Sequence, residues 1–484
     1  MTHFAAIGLE LAVAATGLAV LLLDLWVRPE QRRWLTWTAL LAVGGIFVAS
    51  FALTVPEPAR MFGGLYVLDE LALFFKRFFL LAALLVLVVG QEFADRFSAG
   101  HAEYSALTLF ALTGMMFAAS ANDFVLLFVA LELVTITFYV LTSFQRRRVV
   151  SLEAGVKYLI LGALSTGFLV YGLALIFGAA GTMNFEQLAA SPPAVLESRL
   201  LTVGLLLVLV GLAFKIAAVP FQFWAPDVYE GAPLPTTAFL AVGSKAAGIV
   251  LLLRVWFVAA PALTSSWARP LLVVTALTLL YGVLCAIPQR SLKRLMAYSS
   301  IANAGFLLLG FCSGSAAGVA AVLFYLGGYL FAVLAIFLVA TLAWRGTDSD
   351  AIADLAGLAQ RSPLLAGVLT LGLVSLAGVP PLAGFFGKFL LLKSVLASAT
   401  LHPGLYAVAV VALLAAVISL YYYFGVVRVV YWGQPAAAPQ APILLAWPAR
   451  AALGLCVFGL LWLGCFPANV LNLAQLAAQS LPWR

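Results

Sequence analysis

Three lysines stand where a lysine is costly. Lys215, in FKIAAVPFQFW, follows LTVGLLLVLVGLA, a run without a charge from Leu201 to Ala213; Lys245 lies in AVGSKAAG and Lys388 in GVPPLAGFFGKF. A carboxylate, Glu132, sits inside the equally apolar LLFVALELVTITFY and needs a partner, for which a lysine on a neighbouring helix is the natural candidate. A charge near the centre of a bilayer costs ~2.5–3.5 kcal/mol even on the lenient insertion scale, so three such lysines are too costly to be incidental. The chemistry this set can do is proton transfer: moving or protonating Glu132 would change how tightly Lys215 holds its proton. The competing reading is a static ion pair that ties two helices together.

Two of the lysines lie beside prolines. Pro220 lacks a backbone donor and crowds the carbonyl of Ile216, next to Lys215, so the helix is expected to break there. Pro380 and Pro381, with Gly378, Gly384 and Gly387 around them, interrupt an apolar segment too long for one straight span, and Lys388 follows. Broken helices are tolerated in a membrane where the freed backbone groups line a polar cavity, and they mark ion sites in transporters.

Polar residues between the breaks suit a hydrogen-bonded water path or, equally, the gluing of one helix to another. Ser299 and Asn303 in AYSSIANAG are four apart on one helical face, as are Tyr325 and Tyr329. Gly243, Ser244 and Gly248 around Lys245 let helices approach closely. Lys157 has two readings, an intrahelical pair with Glu153 or a connecting proton site. Lys76, Arg77, Arg254 and Lys393 are near enough to span ends to reach an interface, and read equally as functional groups or as side chains that snorkel or form structural ion pairs.

These residues need a membrane to position them. The 484-residue chain is 64% hydrophobic and 9% charged, which excludes a soluble domain, and its apolar runs match a bilayer core roughly 30 Å thick. About fourteen spans are expected, at 4–26, 34–54, 68–90, 104–121, 123–143, 153–178, 200–219, 236–258, 269–288, 294–312, 317–343, 363–399, 404–432 and 447–472. They must be helices, because a barrel's alternation is absent. The start of the chain reads as a retained first helix. Alternate loops carry fourteen lysines and arginines, among them Arg146, Arg147, Arg148, Arg290 and Arg428, against Arg60, Arg199, Arg269 and Arg484 on the other side, so both termini are expected outside. The charge of +7 then reflects topology and not nucleic acid. Cys285, Cys312, Cys456 and Cys465 show no metal or cluster spacing and read as buried small hydrophobes; no redox cofactor is expected on this chain. The expected architecture is all-α: three helices in 1–103, five in 104–258, five in 259–432 inverted relative to the first five, and a last helix in 433–484, with one broken helix in each repeat.

ALELVTITFYVL, EAGVKYLILGALSTGFLVYGLAL, FKIAAVPFQFWAPDVYEGAPLPTTAFLAVGSKAAG, SLKRLMAYSSIANAGF and GVPPLAGFFGKF resemble the antiporter-like membrane subunits of respiratory complex I over almost the whole chain. PDVYEGAP followed by GSKAAG is most similar to the subunit N branch of NADH-quinone oxidoreductase, more than to its siblings or to cation/proton antiporter subunits. The resemblance implies the fourteen-helix fold with inverted repeats and a proton path along the middle of the membrane. It implies that Glu132 and Lys215 are the charged pair, Lys245 the central connecting lysine, Lys388 the lysine linked to the outer exit, and Lys157 a further lysine of the first half. It also implies NADH, FMN, iron–sulfur clusters and quinone in partner subunits, other membrane-arm subunits as partners, and a bacterial inner membrane. The family often carries histidine at the positions of Gln222 and Asn303, whereas the three histidines here, His3, His101 and His402, fall at span ends or loops. A relay would then run through lysine, glutamate, water, amide and hydroxyl groups. Two alternatives stay open: a cation/proton antiporter of the same fold, and a scaffold whose buried charges only hold helices.

Overall fold

The computed structural model describes residues 6–28, 31–55, 57–97, 100–261, 264–345, 349–400, 402–434 and 443–483. His3 and Arg484 lie outside them. The chain is a bundle of helices: α1 Gly8–Asp24, α2 Arg33–Ser50, α3 Glu70–Phe93, α4 His101–Ala119, α5 Phe124–Thr142, α6 Val149–Ala180, α7 Arg199–Ile216, α8 Trp224–Gly231, α9 Leu234–Ala259 and α10 Thr264–Ala286. It continues with α11 Leu292–Cys312, α12 Ala316–Ala343, α13 Pro363–Ala377, α14 Ala383–Ala397, α15 Gly404–Trp432, α16 Trp447–Cys465 and α17 Ala468–Gln479. The only strands among the described residues, β1 Ala59–Met61 and β2 Tyr66–Leu68, form a short antiparallel hairpin.

Twelve of these helices are long and apolar enough to cross a membrane. Every expected span falls on a helix; α1 has 17 residues, and the segment expected at 363–399 is the broken pair α13 and α14, of 15 residues each. The span expected at 447–472 stops at Cys465, because Pro467 cannot continue the helix, and α17 starts anew after it. Polar side chains start the helices by accepting the first free backbone N–H groups: Asp69 from Ala72 and Asp123 from Val125, at 2.8 and 2.7 Å.

α9 is the axis of the bundle. All of its residues are buried, whereas α6 and α15 bury only part of their surfaces and lie at the periphery. Two π-helical turns, Leu240–Ser244 and Val255–Ala259, interrupt α9, the first immediately before Lys245. Small residues permit the closest packing: a Cβ on Gly172 of α6 would lie 2.6 Å from the carbonyl oxygen of Gly204 on α7.

Lys76 and Arg254 form structural ion pairs and do not snorkel. Lys76 and Glu10 are fully buried and pair at 2.8 Å, with Tyr66 Oη accepting from Lys76 at 2.6 Å. Arg254, also buried, binds Asp69 through two N–H groups at 2.8 and 3.0 Å. Arg77 donates to the carbonyls of Ser50 and Leu53 at the end of α2. Of the four cysteines only Cys456 is buried; Cys465 is exposed and the other two are intermediate.

Candidate proton-transfer site

The break after α7 begins at Ala217, whose φ of 58° is left-handed. Ala218 N–H reaches back to Ala213 O at 2.9 Å and Ala217 N–H to Phe214 O at 3.0 Å, which closes the helix in a Schellman turn before Pro220. Trp224 Nε1–H, from the first turn of α8, also donates to Phe214 O, at 2.8 Å, so this carbonyl at the break accepts two hydrogen bonds. Lys215 stands in the last turn of α7, and its Nζ donates to Thr135 Oγ1 on α5 at 2.8 Å. Glu132, one turn earlier on α5, accepts from Thr166 Oγ1 of α6 at 2.8 Å. The four residues line one cleft between α5, α6 and α7. The ion pair anticipated from the sequence is not formed, because Thr135 shares the face of α5 with Glu132 and reaches the ammonium first, leaving the carboxylate to Thr166.

The break after α13 repeats these bonds. Gly378, with φ of 91°, donates to Ser375 O at 3.0 Å, and Val379 donates to Val374 O at 3.2 Å, ahead of Pro380 and Pro381. Lys388, on the far side of the break in α14, reaches back to Leu376 O at 2.7 Å and Ala377 O at 3.2 Å, and its Nζ lies 4.4 Å from the centroid of the Phe306 ring. Its ammonium therefore meets the carbonyl-rich, negative end of α13.

Lys245 lies between the two breaks on α9. It donates to both Oγ and the backbone oxygen of Ser300 on α11, and Ser300 Oγ is 3.1 Å from Tyr229 Oη of α8. The stem of Lys215 packs on α9 one turn further along: a Cβ on Gly248 would lie 3.3 Å from Lys215 Cγ. Towards Lys388, Asn303 Nδ2 donates to Ser299 Oγ at 3.3 Å, Tyr325 Oη donates to Asn303 Oδ1 at 2.5 Å, and Ser299 hydrogen-bonds Tyr423 Oη on α15. One helix, α11, thus touches Lys245 through Ser300 and Lys388 through Phe306, six residues or about 9 Å apart along its axis. Tyr329 Oη, Gln222 Oε1, Ser244 Oγ and Tyr158 Oη are buried without a hydrogen-bond partner among the described residues. Buried polar atoms of this kind are satisfied by water.

Lys215, Lys245 and Lys388 are 3%, 2% and 5% exposed, and none has a carboxylate within ion-pair distance among the described residues. Lys157 is different. It is 43% exposed and pairs with Glu153 at 2.7 Å and Asp227 at 2.8 Å; Asp227 pairs in turn with Arg294, which also holds Glu230. Sequence reasoning missed Thr135, Thr166, Ser300, Tyr229 and Tyr423. Ser300 was within reach, since it adjoins Ser299, but only the rotation of α11 tells which of two adjacent serines faces α9.

The model of the NADH:quinone oxidoreductase/Mrp antiporter transmembrane family matches residues 121–419, which hold every lysine of the site. The NADH-quinone oxidoreductase subunit N of Moorella thermoacetica is 40% identical over 478 residues, covering 99% of each chain. The chain belongs to the subunit N family of this group. Among solved structures, a chain of respiratory complex I from Thermus thermophilus with bound aureothin superposes with a TM-score of 0.81 at 34% identity, over 96% of this chain and 99% of that one. A chain of the Mrp complex from Dietzia superposes with a TM-score of 0.83 at 25% identity, over 99% and 98%. The antiporter-like fold is thus common to complexes of different names, and the subunit N family is distinguished by sequence. Among the described residues no group of three metal-ligating side chains occurs.

Proposed function

We propose that this subunit N family member translocates protons in a complex I type enzyme, along Glu132, Lys215, Lys245 and Lys388. One observation carries the reading. Inside the spans the molecule pairs Lys76 with Glu10 and Arg254 with Asp69, yet gives these three lysines only hydroxyl and carbonyl partners; Lys293, held by the carbonyls of Glu230 and Ala232, lies at the start of α11 and not in the interior of a span. A lysine held in that way can take up or release a proton without breaking an ion pair. Ser299, Ser300, Asn303, Tyr229, Tyr325 and Tyr423 supply hydrogen-bonding steps between Lys245 and Lys388, with water at Gln222, Ser244 and Tyr329. Lys157 belongs to the ion network outside this path.

On this reading the two breaks mark two five-helix units, 104–258 and 259–432, inverted relative to each other. The chain lies in a bacterial inner membrane with its basic loops in the cytoplasm and both termini outside. Sibling membrane-arm subunits pack against it, and NADH oxidation, flavin, iron–sulfur and quinone chemistry occur in partners, so that quinone reduction acts on Glu132 and shifts charge along the lysines.

The test is proton pumping measured with quinone reductase activity in membranes carrying Lys215→Ala, with assembly of the complex quantified in the same sample. Assembled complexes should lose both activities together. Assembled complexes that pump with full coupling would reduce Lys215 to a structural role, and a sodium requirement for proton movement would favour cation/proton antiport instead.

A further inference from the structure

A groove of about 650 Å³ opens at the basic end of the molecule, between the end of α10, the start of α11, residues Ala351–Ala353 and the last turns of α15. Arg290 and Arg428 stand at its mouth, both exposed, and neither guanidinium has a hydrogen-bond or ion-pair partner among the described residues. The acidic groups nearby are engaged: Asp350 accepts from Ser291 Oγ at 2.6 Å and Asp354 from Ser349 Oγ. Below the arginines the walls turn apolar. Tyr421 and Phe424 of α15 and Ile287, just past the end of α10, line the groove; exposed Val417, one turn before Tyr421, extends the first face away from Arg428, and exposed Leu277 and Leu284 of α10 precede Ile287 on the way to Arg290. Exposed Trp432 lies just past Arg428, where interfacial aromatics anchor at headgroup level.

We propose that this groove binds one anionic diacyl phospholipid, its phosphate between Arg290 and Arg428 and its chains along these faces of α15 and α10. The charge complementarity selects the occupant: two unpaired guanidiniums, a geometry suited to phosphate oxygens, sit at headgroup level above apolar walls that a soluble anion would not use. Nothing in this assignment depends on the proton path.

The test uses the assembled, delipidated complex, with bound lipid counted by native mass spectrometry during titration with phosphatidylglycerol, phosphatidylcholine or inorganic phosphate. The wild-type complex should hold one phosphatidylglycerol that Arg290→Gln/Arg428→Gln binds on the order of tenfold more weakly, with no such difference for phosphatidylcholine. Gly425 lines the groove, and a Cβ there meets nothing within 4 Å, so Gly425→Phe fills the chain seat without disturbing the fold. It should lose the lipid while keeping both arginines. Lipid retained by both variants overturns the proposal. Displacement of the lipid by inorganic phosphate, with Gly425→Phe binding normally, would make the site one for a free anion. Cross-linking of a photoreactive residue at position 421 to a partner subunit instead of to lipid would put protein on this face and overturn it as well.

Discussion

The ammonium of Lys388 lies 2.7 Å from the carbonyl oxygen of Leu376, and Leu376 stands two residues before the left-handed Gly378 as Lys215 stands two residues before the left-handed Ala217. Two breaks with the same backbone bonds therefore receive a lysine at the same point by different routes. Lys215 grows from the last turn of the first half-helix and points away, to Thr135; Lys388 grows from the second half-helix and folds back onto the end of the first. Lys388 consequently caps the break that it follows, and at the first break the side-chain donor is Trp224.

Gly378→Ala tests how tightly Lys388 depends on its break. The residue has φ of 91°, and a Cβ would lie 3.0 Å from Lys388 Cδ, so the variant adds both left-handed strain of ~1–2 kcal/mol and pressure on the lysine stem. Pumping and quinone reductase activity should fall together by several-fold in assembled complexes. Activity equal to wild type would mean that the position of Lys388 is not critical.

Thr135→Val removes the hydroxyl that Lys215 uses and keeps the shape. A hydrogen bond to a charged group contributes ~1.5–3 kcal/mol, enough for a tenfold or greater change in turnover if proton transfer limits it. Thr135→Ser should restore most of the activity, because the hydroxyl and not the methyl carries the contact. Equal turnover in the valine and serine variants would remove Thr135 from the path.

The helices, both breaks and the placement of the three lysines in apolar spans were legible in the sequence because each follows from a local rule: apolar length, proline geometry, and the cost of charge in an apolar run. Partners were not, since they depend on helix rotation and on which neighbours pack together. Lys76 and Arg254 illustrate the limit. Their position near span ends left snorkelling and a structural ion pair both open, and nothing local named Glu10 and Asp69, far away in sequence, as the partners that hold them buried. The same blindness hid Thr135 between Glu132 and Lys215, and Ser300 beneath Lys245.

Gly248→Ala probes the contact between α7 and α9. The added Cβ would fall 2.7 Å from Ile216 Cγ2 and 3.3 Å from Lys215 Cγ, so the end of α7 must shift by some tenths of an ångström. Small displacements of a reacting group are costly, up to about 10²-fold per ångström. Proton pumping is expected to drop while the yield of assembled complex stays near wild type. A fall in assembly with unchanged pumping per complex would assign Gly248 to packing alone.

Lys157 supplies the contrasting case. It is 43% exposed and shares Asp227 with Arg294, so the loss of its charge leaves Asp227 paired. Exposed ion pairs contribute about 0.2–1 kcal/mol and are screened by salt, which sets the expected effect of Lys157→Ala on turnover at roughly twofold or less, shrinking further at high ionic strength. Asp227→Asn should do more damage, because it weakens the hold of α8 on both α6 and α11 at once and α8 carries Trp224 and Tyr229. The two variants are to be compared in quinone reductase and pumping assays at low and high salt. A loss in Lys157→Ala as deep as in Lys215→Ala, and insensitive to salt, would move Lys157 from the surface network into the proton path.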